Sequence, residues 1–311
     1  MVSRRRKNKS SRRGQQPKRR MRMAASLDSA ALKYARLLSD PCNADLCHPV
    51  YAGTEGGYLV RLKSFLTAGG SGSAVDSITC FNPFGRNDTG FQQWCATYAS
   101  AGGGLGNVSE FGSMPWLSTG GVGYYRPVAG CLKVHYIGAE LERKGLVSLI
   151  VGKQQCQYGD AYGSTTADAL VPTSAKTVRL GSEPHELRWA PMTPDDTEYS
   201  TQYQPGGSYT PVGVVKGTVL TVIVQGAPAG SVRLEVDFVY EWLPEYSSGL
   251  VNSITTPPSR NTLNDVLRAI GNAAGGIQEW AVSSQGKRVL GAIGRGVYSM
   301  VNNGGLLALT G

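Results

Sequence analysis

The chain has 311 residues, 41% of them hydrophobic and only 17% charged, with 41 Gly and 16 Pro. That leaves room for one large β-sandwich with tails or for two ordinary domains, and the glycine and proline content excludes a mainly helical protein. The formal net charge of +9 is uneven: eleven cations and no acid lie in the first 24 residues, so the remainder is slightly acidic.

Those cations are Arg4, Arg5, Arg6, Lys7, Lys9, Arg12, Arg13, Lys18, Arg19, Arg20 and Arg22, set among Ser, Gln, Gly and Pro. Like charges repel and there is little apolar surface to bury, so residues 1–24 are expected to form a disordered arm. Such an arm would neutralise nucleic-acid phosphates, release their counterions and follow a backbone without reading bases. A nuclear-localisation signal or a solvated tail are the blander readings of the same charges. No apolar run of signal-peptide length follows the charges, and none reaches the length of a membrane span. Cys42, Cys47, Cys80, Cys95, Cys131 and Cys156 are therefore expected to be reduced thiols of a cytosolic protein.

Residues 25–57 read as a helix and a linker. Ser26 is the expected cap of a helix over 26–38, with Asp28 in its first turn. Leu27, Ala30, Ala31, Tyr34, Leu37 and Leu38 fall near one face, and Pro41 ends it. Residues 58–245 read as almost wholly β. In 232–240, Val232, Leu234, Val236, Phe238 and Tyr240 alternate with Arg233, Glu235, Asp237 and Val239, which is period 2 with one buried face. The segments 58–66 and 131–137 repeat that pattern. Leu146–Val151 and Thr218–Val224 are more continuously apolar, which suits central strands, and shorter strands are expected at 77–81, 177–181 and 186–190. Phe91, Trp94, Cys95 and Tyr98 recur at helical spacing and predict a helical turn at 90–99. The fold class is thus all-β: about eight strands in one antiparallel sandwich, the jelly-roll count.

Residues 246–311 read as a helical tail of net charge +3. Thr262 and Asp265 have capping-box spacing, and Leu263, Val266, Leu267 and Ile270 follow the i, i+3, i+4, i+7 rule. A weaker amphipathic stretch runs from Ile277 through Trp280 to Val301, interrupted by glycines that each cost roughly 1 kcal/mol of helix stability relative to Ala.

Three segments resemble parts of the jelly-roll coat proteins of small icosahedral positive-strand RNA viruses of the nodavirus-like and tombusvirus-like groups. Arg126–Gly145 is similar to a buried strand running into a turn with a Glu-Leu-x-x-x-Gly pattern, here Glu140 to Gly145. Glu235–Pro244 resembles the last shell strand, and Asp40–Tyr51 the lead-in to the first. The resemblance implies a homo-oligomeric T=3-type shell, with the arm inside against single-stranded RNA. Coat proteins of some single-stranded DNA viruses are similar, so DNA stays open as the cargo. It implies residence in the virion, with assembly in the host cytoplasm. It also implies calcium between subunits, for which Asp195 and Asp196 are the candidate ligands; the residues alone fit a solvated loop better. No other cofactor is expected. Nodavirus-like coats release a membrane-active helical peptide by self-cleavage after an Asn, which points to Asn252–Ser253 and Asn272–Ala273. The bland reading is a helix docked under the shell.

Cys42, Cys47 and His48 are too loosely spaced for a zinc site and offer no fourth ligand. No Ser–His–Asp, Cys–His or phosphate-cradle pattern is present, so no enzymatic activity is expected. The rival reading is a host β-sandwich protein that binds nucleic acid or carbohydrate as a monomer or small oligomer.

Overall fold

The structure is a computed structural model of the chain and describes residues 27–51, 56–68, 76–81, 83, 94–97, 106–110, 122–152, 171–199, 217–244, 259–274 and 277–282. The arm at 1–24, the segment around Asn252 and the tail after 282 lie outside them. Among the described residues there are ten strands: β1 (Tyr58–Ala68), β2 (Asp76–Phe81), β3 (Trp94–Thr97), β4 (Gly106–Glu110), β5 (Val122–Tyr136), β6 (Leu146–Gly152), β7 (Lys176–Arg179), β8 (His185–Trp189), β9 (Val219–Gln225) and β10 (Val232–Pro244). They form a four-stranded sheet in the order β1-β10-β5-β8 and a six-stranded sheet in the order β4-β3-β2-β9-β6-β7.

With the edge hairpin β3–β4 set aside, eight strands remain, four in each sheet. The pairs β1 and β2, β5 and β6, β7 and β8, and β9 and β10 each divide between the two sheets. This is the jelly-roll arrangement, and its eight strands are the eight read from the sequence. The hairpin is an addition. Trp94–Thr97 is a strand, which corrects the expected helical turn at 90–99. Its backbone pairs with β2 on one side and β4 on the other, and cross-strand pairing overrides a local helical period.

The alternation in β10 sorts its residues between two environments. Val232, Leu234, Val236, Phe238 and Tyr240 are all buried and turn toward the six-stranded sheet. The Phe238 ring lies 4.6 Å from that of Phe81 in β2, and Trp189 donates across the gap to the Thr218 carbonyl at 2.8 Å. Each such large side chain contributes roughly 1.5–3 kcal/mol by leaving water. Gly130 is the seat for Phe238: a Cβ there would overlap the ring. Gly145, the last residue of the Glu-Leu-x-x-x-Gly pattern, has φ +113°, which a side chain would strain. Glu140–Glu142 before it form an exposed 3-10 turn.

The other face of the four-stranded sheet is covered by residues 40–51 and by the helices α1 (Ser29–Ser39) and α3 (Ile277–Val282), with α2 (Leu263–Ala274) packed on both of these helices. Asp28, not Ser26, caps α1: its carboxylate accepts from Ala31 N–H at 2.8 Å. Tyr34, Ala35, Leu37 and Leu38 are buried, and Tyr34 donates to the Val128 carbonyl of β5 at 3.1 Å. The expected capping box of α2 is present, with Thr262 N–H to Asp265 at 2.9 Å. Val266 and Ile270 of α2 are fully buried, as is Trp280 of α3, so the tail docks on protein through α3. The last turn of α3 ends against two cations. Arg188 donates to the Trp280 carbonyl at 3.2 Å and Lys176 to the Val282 carbonyl at 3.3 Å, where a helix dipole favours positive charge.

Candidate functional site

The polar chemistry of the molecule concentrates between the four-stranded sheet and its helical cover. Its centre is Glu241, fully buried in β10. One carboxylate oxygen accepts from Arg126 Nε at 2.7 Å; the other lies 2.9 Å from His48 Nδ1 and accepts from Gly57 N–H at 2.9 Å. Arg126 also donates to the Thr197 carbonyl at 2.9 Å, and its guanidinium lies over the rings of Tyr51 and Tyr199, 4.6 and 4.1 Å from their centroids. A register shift between Val239 and Tyr240 lets Arg126 face the helices, because one extra residue in a strand reverses which face later side chains take. Burial pushes the Glu241 carboxyl up, but the His48 hydrogen bond, the Arg126 charge and the Gly57 N–H outweigh it and hold it below its ordinary value. Burial raises the Tyr34 phenol well above its usual range. This network joins the lead-in, the start of β1, β5, β10 and the 193–199 turn.

A second knot joins the two ends of the described chain. Asp28 accepts from the Ser259 hydroxyl at 2.9 Å and from Arg260 N–H at 2.6 Å, and its own N–H donates to the Asn261 side-chain oxygen at 2.8 Å. Burial raises the Asp28 carboxyl, yet these donors and Ala31 N–H bring it below the ordinary carboxylate value. The Ser259 hydroxyl oxygen in turn accepts from Asn261 N–H at 3.1 Å.

A third knot is covalent. Cys42 and Cys131 form a disulfide with their Cα atoms 6.0 Å apart. For these two residues this corrects the expectation of reduced thiols, which rested on sequence context alone; Cys47 is a free thiol. Closing so long a loop is worth about 2–5 kcal/mol. Cys42, Cys47 and His48 go three ways: Cys42 to Cys131, His48 to Glu241, and Cys47 to a half-buried site where burial pushes its thiol up to about 12.

Asp195 and Asp196 lie in a 3-10 turn, Pro194–Asp196. Asp196 is fully buried, and its carboxylate accepts from Met192 N–H, Thr193 N–H and hydroxyl, and Thr218 N–H and hydroxyl, at 2.6–3.0 Å. A cation could use that carboxylate only by displacing five protein donors, so Asp196 is a structural staple and not a ready calcium ligand. Chelation is therefore expected to leave the unfolding temperature of the assembled shell unchanged, as calorimetry with and without a chelator would show; a clear fall would favour calcium between subunits. The sequence missed the Arg126–Glu241 pair, the Asp28–Asn261 knot and the cysteine pairing. Only Glu241, a lone acid between Tyr240 and Trp242, gave a signal that could have exposed one of them.

The two facing sheets and their topology define a jelly-roll sandwich with a helical layer on one face. No protein-family model and no curated protein matches the sequence. Solved structures do match in fold. A chain of the T13 particle of infectious bursal disease virus aligns over 86% of this chain and 97% of its own, with TM-score 0.57 and 10% identity. A chain from the Gx strain of the same virus aligns over 72% and 90%, with TM-score 0.47 and 11% identity. A chain of the virus-like particle of the prawn Macrobrachium rosenbergii nodavirus aligns over 62% and 97%, with TM-score 0.38 and 13% identity. The chain shares its fold with subunits of icosahedral virus particles.

Proposed function

We propose that the protein is a viral coat protein that assembles with copies of itself into an icosahedral T=3-type shell and packages a single-stranded genome, RNA in our reading, through its basic arm. The observation that carries this is where the arm is rooted. Leu27 and Asp28 belong to the helical layer on the four-stranded sheet, the layer that also anchors residues 259–282, and in the sequence the eleven cations stand just before them. A shell subunit needs that division: a nearly neutral sandwich to tile and a cationic leash on one side to hold polyanion. The fold shared with infectious bursal disease virus supports the shell role. Virion residence, with assembly in the host cytoplasm, follows from the same reading, and no catalytic role is assigned. Electron microscopy of the purified protein tests it: spherical shells containing nuclease-protected RNA are expected, whereas monomers at every concentration would favour the host-protein reading.

A second reading concerns the tail, and it rests on Asn261. Of the bonds the sequence suggested, Asn272–Ala273 lies inside α2, where helical geometry holds the backbone, and Asn252–Ser253 lies outside the described residues. Asn261–Thr262 instead stands just before α2. Its side-chain oxygen is held by Asp28 N–H, and its own N–H donates to the Ser259 hydroxyl oxygen. We propose this as the bond that matured particles cut. The Asn261 side-chain nitrogen would attack the Asn261 main-chain carbonyl carbon and close a succinimide; the Asn261–Thr262 C–N bond breaks, and the proton lost by the attacking nitrogen goes to the Thr262 nitrogen, which leaves as the amine. The freed tail, basic and amphipathic, would then suit an anionic membrane surface. Intact-mass measurement of matured particles is expected to give residues 1–261 and 262–311 as separate species; a single full-length mass excludes it.

A further inference from the structure

The Cys42–Cys131 disulfide has a third partner. A carboxylate oxygen of Glu186 and the two sulfurs all lie within 4.8 Å of one another. We propose that the reduced pair, together with Glu186, is a binding site for a thiophilic divalent cation of the zinc class, so that this point in the fold is closed by a disulfide under oxidising conditions and by a metal under reducing ones.

The donor set is that of zinc: two thiolates and a carboxylate, at about 2.3 Å and 2.0–2.2 Å when bound, would sit within the observed spacing after small rotations about the cysteine side chains. The backbone under both sulfurs is fixed without the disulfide. Arg61 binds the carbonyls of Cys42 and Ala44, and the 40–44 turn is closed by Asn43 N–H and Ala44 N–H to the Asp40 carbonyl. Cys131 and Glu186 are held by the register of β5 against β8, where Cys131 opposes Arg188 and Lys133 opposes Glu186. Reduction therefore leaves the ligands close together.

Charge favours the metal as well. Arg188 is buried and paired with Glu186 at 2.6 Å. A divalent ion and this guanidinium together cancel two thiolates and one carboxylate, and the guanidinium orients the ligating carboxylate, as outer partners do in metal sites. The Glu186 side chain is 21% exposed, which admits water as a fourth ligand and gives the ion a way in. The chemistry balances. Two equivalents of a small thiol reduce the disulfide and leave as their own disulfide. Cys42 and Cys131 become thiols, and metal binding releases their two protons.

The test uses the full chain, reduced without oxygen by a phosphine and titrated with cobalt(II). Stoichiometric uptake with a thiolate-to-cobalt charge-transfer band and tetrahedral d–d bands is expected, displaced by zinc. The oxidised protein and the Cys42→Ser variant should lack both. Glu186→Gln, which keeps both cysteines, should weaken cobalt by about tenfold or more. The proposal fails if the reduced chain gives no charge-transfer band, if circular dichroism shows that reduction unfolds it, or if Cys42→Ser and Glu186→Gln bind cobalt as the parent does.

Discussion

Glu241→Ala is expected to lower stability by about 3–5 kcal/mol, the cost of stranding a buried charge. Against a typical domain stability of about 5–15 kcal/mol, that would leave much of the protein aggregated on expression. The loss falls on several elements at once. Arg126 would be a desolvated cation stripped of its carboxylate partner, and Gly57 N–H and His48 would lose their acceptor. Glu241→Gln would help little, because its amide must present hydrogens to groups that themselves donate. The double variant Arg126→Met, Glu241→Leu is expected to cost less than the sum of Arg126→Met alone and Glu241→Leu alone, since it removes both charges together. Chemical denaturation of the four proteins gives the coupling; additive costs would show that the pair is incidental.

The same carboxylate gives a sign to the acid response. Its folded-state value lies below the ordinary 4.5, so its contribution is fully present above that pH and is lost as pH falls through the folded value. Asp237 runs the other way. Burial raises its carboxyl despite Lys63 and Arg61, so it favours the fold at low pH and costs stability above its folded value. Glu241→Ala is expected to flatten the acid limb of the stability profile, and Asp237→Asn to leave that limb in place.

Deleting residues 1–24 is expected to leave shells nearly free of nucleic acid. Eleven cations on a single strand give a limiting slope of about −8 in log affinity against log salt, so binding would fall on the order of 10⁴-fold between 50 and 200 mM salt. Replacing half of those residues by Gln should halve the slope and show little dependence on RNA sequence, since phosphate contacts carry no base information. Fluorescence titrations at several salt concentrations, with absorbance ratios of purified particles, would measure both. Particles that keep their full nucleic-acid content without the arm would remove it from the packaging role.

Why some of this was legible in the sequence and some was not has a physical basis. The eight jelly-roll strands show because one buried face enforces period 2 in β1, β5 and β10, and because β6 and β9, buried along most of their length, are mainly apolar, with Ser148 and Thr221 as buried polar exceptions. The hairpin β3–β4 was hidden: it is short, stands next to glycine-rich sequence, and its Trp94, Cys95 and Tyr98 happen to match a helical period. Helices α1 and α2 were visible from their apolar faces, but the α1 cap was misplaced. Asp28 is fixed there partly by Ser259 and Arg260, more than two hundred residues away, and no local rule reaches that far. The cysteine pairing and the Arg126–Glu241 contact are equally non-local. Six cysteines allow fifteen complete pairings, and the redox state had been inferred from context, not from proximity. Asp196 was seen as an acid in an acidic run, whereas the donors that fill it lie in its own turn and at the start of β9.

A reconstruction of the assembled particle at side-chain resolution tests the central claim most directly. Helices α1 to α3 and the root of the arm at Leu27 are expected to line the lumen, next to density for nucleic acid, with the six-stranded sheet on the outer side of the four-stranded one. A particle whose helical layer faces solvent on the exterior would contradict it.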